Sequence, residues 1–139
     1  MSAEKIENHI TSNLLNVQKS AHFGYTFFFY GSDHVLPFVT IAHADNEYDK
    51  VSNLSREGVF RVNIGVSKVT FNKLFPGLKK EWDFTETNVF MPHPSYASQH
   101  FICVLNPVED KLEETLKFIE EAHTIAKNRF DKKQLKKSN

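Results

Sequence analysis

Between Val59 and Val66 the chain alternates strictly. Phe60, Val62, Ile64 and Val66 fall on one side of an extended backbone, and Arg61, Asn63 and Gly65 fall on the other. Successive side chains of a strand point to opposite faces, so this pattern requires a β-strand with one face against a core. A strand of this kind needs pairing neighbours and a covering layer. It also sets Arg61 and Asn63 side by side, with Gly65 leaving room next to them.

The neighbouring segments supply both needs. Ile6, Ile10, Leu14 and Val17 recur at helical spacing, predicting an amphipathic helix over 3–18, with Ser2 as N-cap and Glu4 at the positive end of the dipole. Gly24 opens the strand-forming run Tyr25-Thr26-Phe27-Phe28-Phe29-Tyr30, Gly31-Ser32-Asp33-His34 has turn chemistry, and 36–42 is a second strand. These two strands are expected to pair as a hairpin. Asp49, Ser52 and Asn53 offer caps for a short helix within 45–57 that Gly58 would end. Ser67 caps a further short helix through Leu74, closed by Pro76-Gly77. Two strands are expected at 85–91 and 100–105, split by Pro92-His93-Pro94. A last helix spans 110–129, with Leu112, Leu116, Ile119, Ala122 and Ala126 on one stripe. The order predicts an α+β two-layer sandwich, a mainly antiparallel sheet of about five strands with helices on one face. Residues 1–130 form a single domain in this reading, and 131–139 a disordered basic tail.

At 139 residues and 16.1 kDa the chain buries about 68% of its unfolded surface, enough for one core. Seventeen basic residues balance seventeen acidic ones, so no net field recruits nucleic acid or an anionic membrane. Lys127 to Asn139 carries five Lys, one Arg and one Asp. Such a tail more often solvates a helix end than binds nucleic acid. The single Cys103 excludes an internal disulfide and sits in an apolar run, as a core residue would. The start of the chain lacks the apolar region of a secretory signal, and no apolar stretch has membrane-helix length. A cytoplasmic home is expected, with no membrane partner.

The first strand is aromatic on both faces, and the second is mainly apolar on both. One sheet face therefore carries more apolar surface than a lone monomer leaves wet. A loop, a second copy or a ligand would cover it. Thirteen Phe against one Trp favours burial, and the homodimer ranks first, with Phe28 among the outward residues.

Candidate chemistry gathers on few residues. Arg61 offers a bidentate fork for a carboxylate or phosphate, and Asn63 both donates and accepts; an anionic ligand suits them. The competing reading pairs Arg61 with a neighbouring-strand carboxylate, Asp83 or Glu86. In Pro92-His93-Pro94-Ser95-Tyr96 two prolines pin the backbone around His93, a possible general base beside the Tyr96 phenol, with His100 across the turn. His34, His43 and Asp45 would meet only at a hairpin end. None of the seven histidines has zinc spacing, and the five glycines make no phosphate loop, so no metal or cofactor is expected.

Phe60-Arg61-Val62-Asn63-Ile64-Gly65-Val66, Pro92-His93-Pro94-Ser95-Tyr96-Ala97 and Val104-Leu105-Asn106-Pro107 resemble an uncharacterised bacterial domain-of-unknown-function family. Pro37-Phe38-Val39-Thr40, Asp45, Asp49 and Ser52-Asn53-Leu54-Ser55-Arg56 are similar to it too. The likeness spans about residues 5–130 and supplies no catalytic residues. More distantly, Tyr96, His100-Phe101 and the last helix are similar to the MmcQ/YjbR family, although that family usually has Trp where Phe101 stands and a shorter middle section. That resemblance implies a two-layer fold like that of secretion chaperones, together with a DNA-binding proposal that the neutral charge here does not favour.

Three functions follow in order. The first is a small non-catalytic binding or interaction domain, homodimeric through the Phe-rich sheet face. The second is a small-anion binder or enzyme using Arg61, Asn63, His93, Tyr96 and His100. The third is weak nucleic-acid binding through the basic tail.

Overall fold

The computed structural model describes residues 3–32, 34–77 and 81–138. The chain order is α1 (Ala3–Asn13), β1 (Val17–His22), β2 (Tyr25–Tyr30), β3 (Val39–Ala42), β4 (Arg61–Gly65), α2 (Lys68–Leu74), β5 (Met91–Pro92), β6 (Phe101–Leu105) and α3 (Glu109–Ser138). The strands form one open antiparallel sheet in the order β1-β2-β3-β4-β6-β5. The fold is α+β, with six strands and three α-helices among the described residues.

The register divides side chains between two faces. Phe28, Val39, Ile41, Val62, Ile64, Ile102 and Val104 join Ile6 and Ile10 of α1, Phe71 of α2 and Ile119, Ala122 and Ala126 of α3 in the main core. The β4 alternation therefore holds as the sequence requires. The cap on α2 also holds, since Thr70 N donates to Ser67 Oγ at 3.1 Å. Glu121 of α3 ties the same end down, accepting from Ser67 N at 2.8 Å and Thr70 Oγ1 at 3.0 Å.

On the second face a smaller core forms from Ala42, Leu54, Met91, Cys103 and Leu105, with Trp82, Phe84 and Val89 packed against it. Loops 45–57 and 82–90 thus cover the β3–β6 half of this face. The β1–β2 half keeps Tyr25, Phe27 and Phe29.

Several expectations change. The first helix ends at Asn13, and Val17–His22 is an edge strand turned into β2 through Phe23-Gly24. Both turn residues have positive φ, 53° and 80°, the geometry of a type I′ hairpin. No helix forms in 45–57; Asp49 and Ser52 turn to the buried Arg61, while Asn46 and Asp45 accept from Tyr48 N and Leu54 N within the loop. The strand expected over 85–91 shrinks to Met91–Pro92, because Thr85 turns back onto Asp83 through Oγ1 at 2.6 Å and N at 3.0 Å. Phe28 is fully buried on the helix side, so it is not an outward residue. The last helix runs on to Ser138, through the segment assigned to a disordered tail. Phe130 packs on Gly31 and Tyr30, and Lys127 pairs with Asp131 at 2.8 Å, carrying helix past the expected end. Ser2 and Asp33, expected in a cap and a turn, lie outside the described residues.

Candidate functional site

Arg61 lies on the second sheet face and has no exposed surface. Its charge is met by Asp49 from the loop between β3 and β4, with Nη1 to Oδ1 at 3.1 Å and Nη2 to Oδ2 at 2.5 Å. Nη1 also donates to Ser52 Oγ at 3.0 Å, and Nε to Asn63 Oδ1 at 2.9 Å. The partner is thus a loop carboxylate, neither Asp83 nor Glu86. Around it the network closes: Tyr25 Oη donates to Asp49 Oδ2 at 2.7 Å, Asn46 Nδ2 donates to Tyr25 Oη at 3.2 Å, and Asn63 Nδ2 donates to Thr40 Oγ1 at 2.9 Å.

The electrostatics follow from this geometry. Burial opposes ionisation of Asp49, but hydrogen bonds from Arg61 and Tyr25, with the Arg61 charge, outweigh it and hold the carboxyl below the usual carboxylate range. Burial likewise opposes the Arg61 charge, and Asp49 restores it and raises its pKa. Tyr25 is raised, first by burial and then by its bond to Asp49. Cys103, beneath the same face, is pushed by burial up to about 12, which makes it an inert thiol.

His93 shares this face, 6% exposed. Its Nδ1 accepts from Ser95 N and Tyr96 N, both at 3.0 Å. A nitrogen accepting two N–H bonds carries no proton, so the neutral ring is the Nε2–H tautomer. Burial, then the Arg61 charge, lowers its pKa to about 4. At neutral pH Nε2 already holds its proton, so His93 is a fixed donor and not a general base. Tyr96 is half exposed, its ring 5.0 Å from that of His93.

The structure therefore brings Arg61, Asn63, His93 and Tyr96 to one face. It sends His100 to the other side, where its ring meets Phe71 at 5.6 Å. His34 and His43 also part: His34 stacks on Phe29 at 4.7 Å, whereas His43 meets Thr26 and Glu7 on the helix side. Among the described residues no three His, Cys, Asp or Glu side chains gather as a metal site.

Beside this network an aromatic ladder runs along the Phe-rich face that the sequence singled out. Rings run from Phe23 to His22 (6.4 Å), Phe27 (6.2 Å), Phe29 (6.2 Å) and His34 (4.7 Å), with Tyr25 joining at Phe27. Phe29 lies outside both core clusters but is buried beneath His34, Phe27 is half-buried, and Phe23 is 90% exposed. The doubly aromatic run 25–30 signalled it, but only the β1 hairpin shows that Phe23 is the ring left exposed.

The fold and this network define a two-layer α+β domain with a closed polar core under one sheet face and an open aromatic edge. A family model, described as a family of unknown function (DUF6194), matches residues 1–135, and the chain belongs to that family. Comparisons with curated proteins and with solved structures give no match. Among the described residues no helix is long and apolar enough to cross a membrane.

Proposed function

We propose that this protein is a small, non-catalytic cytoplasmic interaction domain whose partner at the aromatic edge is a second copy of itself. The carrying observation is Phe23, a bulky residue in the left-handed region at φ 53° and 90% exposed. Asn or Gly is the natural choice for that turn position, and an aromatic there is strained without contributing to either core. Strain of this kind points to a role outside the monomer's own packing.

Two further features support a second copy. The ladder stands beside β1, an edge strand. The closing hairpin pair and the bond from Gly31 N to Asn16 O fix the ladder pattern, which aims the N–H and C=O groups of Val17, Lys19 and Ala21 away from β2. They have no partner among the described residues. Antiparallel pairing of two β1 strands about a two-fold axis would satisfy them and continue the sheet, so that the two ladders lie on one face on either side of the seam. The alternative role of Arg61, Asn63 and His93 as anion ligands has less support, because Asp49, Ser52 and Asn63 already occupy the guanidinium. The buried unpaired Cys103 fits a reducing compartment.

Sedimentation equilibrium on the purified chain tests the reading. A dimer is expected, and Ala21→Pro, which blocks an outward-facing donor on the edge strand, should return it to monomer with unchanged far-UV circular dichroism. A wild-type protein that stays monomeric to millimolar concentration would overturn the proposal.

A further inference from the structure

On the helix side, where the start of α1 approaches the turn from β6 into α3, lies a cleft of about 510 Å³. That volume is within the range of small-molecule sites. Val59, Phe60, Pro107 and Val108 give it an apolar wall, and Arg56 lines it. Arg56 is held by three backbone carbonyls: Nε donates to Asn53 O, and Nη2 to Ser52 O and Thr85 O, each at 2.9 Å. Its Nη1 has no hydrogen-bond partner, and no carboxylate forms an ion pair with it among the described residues. Arg61 is the opposite case, with its charge enclosed and answered. Arg56 is an oriented, exposed cation that borders a cleft of ligand size, and its charge also acts on Asp83.

We propose that this cleft binds a small organic carboxylate, with Arg56 Nη1 donating to a carboxylate oxygen and the ligand's apolar part against Phe60 and Val108. A guanidinium already fixed by carbonyls loses little freedom on binding, which favours a preformed site. His43 and Glu4 also line the cleft. Glu4 is a like charge to the ligand and weakens its binding. The site shares no residue with the aromatic ladder and stands independently of dimerisation.

Amide chemical shifts titrated with benzoate, and with its neutral isostere benzamide, test the assignment. Benzoate should give saturable shifts at Gly58, Val59, Phe60 and Val108 and bind about tenfold more tightly than benzamide, the difference made by one charge-assisted hydrogen bond. Arg56→Gln should reduce benzoate to the benzamide level. Glu4→Gln, on an exposed side chain, should tighten benzoate severalfold. Val108→Trp fills the cleft from a partly exposed position, leaves Arg56 in place and should abolish both titrations. Equal affinities for the two probes in the wild-type protein would overturn the proposal, as would benzoate shifts that persist in Val108→Trp.

Discussion

Arg61 and Asp49 form a pair whose two members differ sharply in exposure. The Arg61 side chain is wholly buried and that of Asp49 is 18% exposed. Removing one partner of a buried pair costs about 3–5 kcal/mol, because the remaining charge is left uncompensated. The asymmetry orders the variants. Asp49→Ala strands a fully buried cation and should cost more than Arg61→Met, which leaves a carboxylate that water can reach. Urea unfolding would show this order, and losses below about 1 kcal/mol for both would mark a screened surface pair instead. His93 adds a pH dependence. Its pKa is about 4 in the fold against 6.5 for the free side chain, so between these values the unfolded chain binds the extra proton. Stability should therefore be fully present above pH 6.5 and fall by about 3 kcal/mol as the pH drops to 4. Asp49 is depressed below its ordinary value, so its loss comes later, below about pH 4. His93→Asn keeps an acceptor for the Ser95 and Tyr96 amides and should flatten only the first stage. An unchanged slope between pH 6.5 and 4 would remove His93 as its source.

The β1–β2 hairpin joins local strain to surface function. Phe23→Asn places a residue suited to a positive φ in the type I′ turn, so the isolated monomer should gain about 1 kcal/mol of stability. The same change removes the exposed end of the ring ladder and should weaken self-association. Thermal unfolding at low concentration and sedimentation at high concentration should move in opposite directions; a loss of monomer stability would mean that Phe23 serves the fold. This hairpin also shows what was legible in the chain. Strand β4 declared itself because it is half-buried, and burial writes alternation into a sequence. Strand β1 did not, because both its faces are largely wet: Gln18, Lys19, Ala21 and His22 carry no apolar rhythm, and Val17 fits the helical spacing of Ile6, Ile10 and Leu14. Arg61 and Asn63 could be placed on one face from β4 alone. Their partner Asp49 could not, since it arrives from a loop whose path is set by the buried charge it meets. His93 was singled out by its prolines, but its role as an Nδ1 acceptor depends on the tight turn that aims two amides at it.

At the scale of the molecule the outer surface carries the remaining question. The folded chain exposes 8324 Å², whereas a compact protein of 16.1 kDa is expected to expose about 7,400 Å². The excess is about 900 Å². Part of it belongs to the exposed end of α3, where every described side chain from Asp131 to Lys137 faces water. Strand β1 and the Phe23 turn are exposed as well. The two surfaces differ in kind. The helix end is charged, with Lys132, Lys133, Lys136 and Lys137 near one pole. The β1 edge offers backbone groups and rings, with Lys19 paired to Glu7 at 3.1 Å. Association through that edge should therefore depend little on ionic strength, since apolar burial and neutral hydrogen bonds are not screened. Binding through the basic helix end would weaken steeply with salt. Sedimentation at about 50 mM and 500 mM salt separates the two. A dimer constant changing by less than about threefold places the contact on the aromatic edge, and a loss beyond about tenfold places it on α3 and removes β1 from the interface.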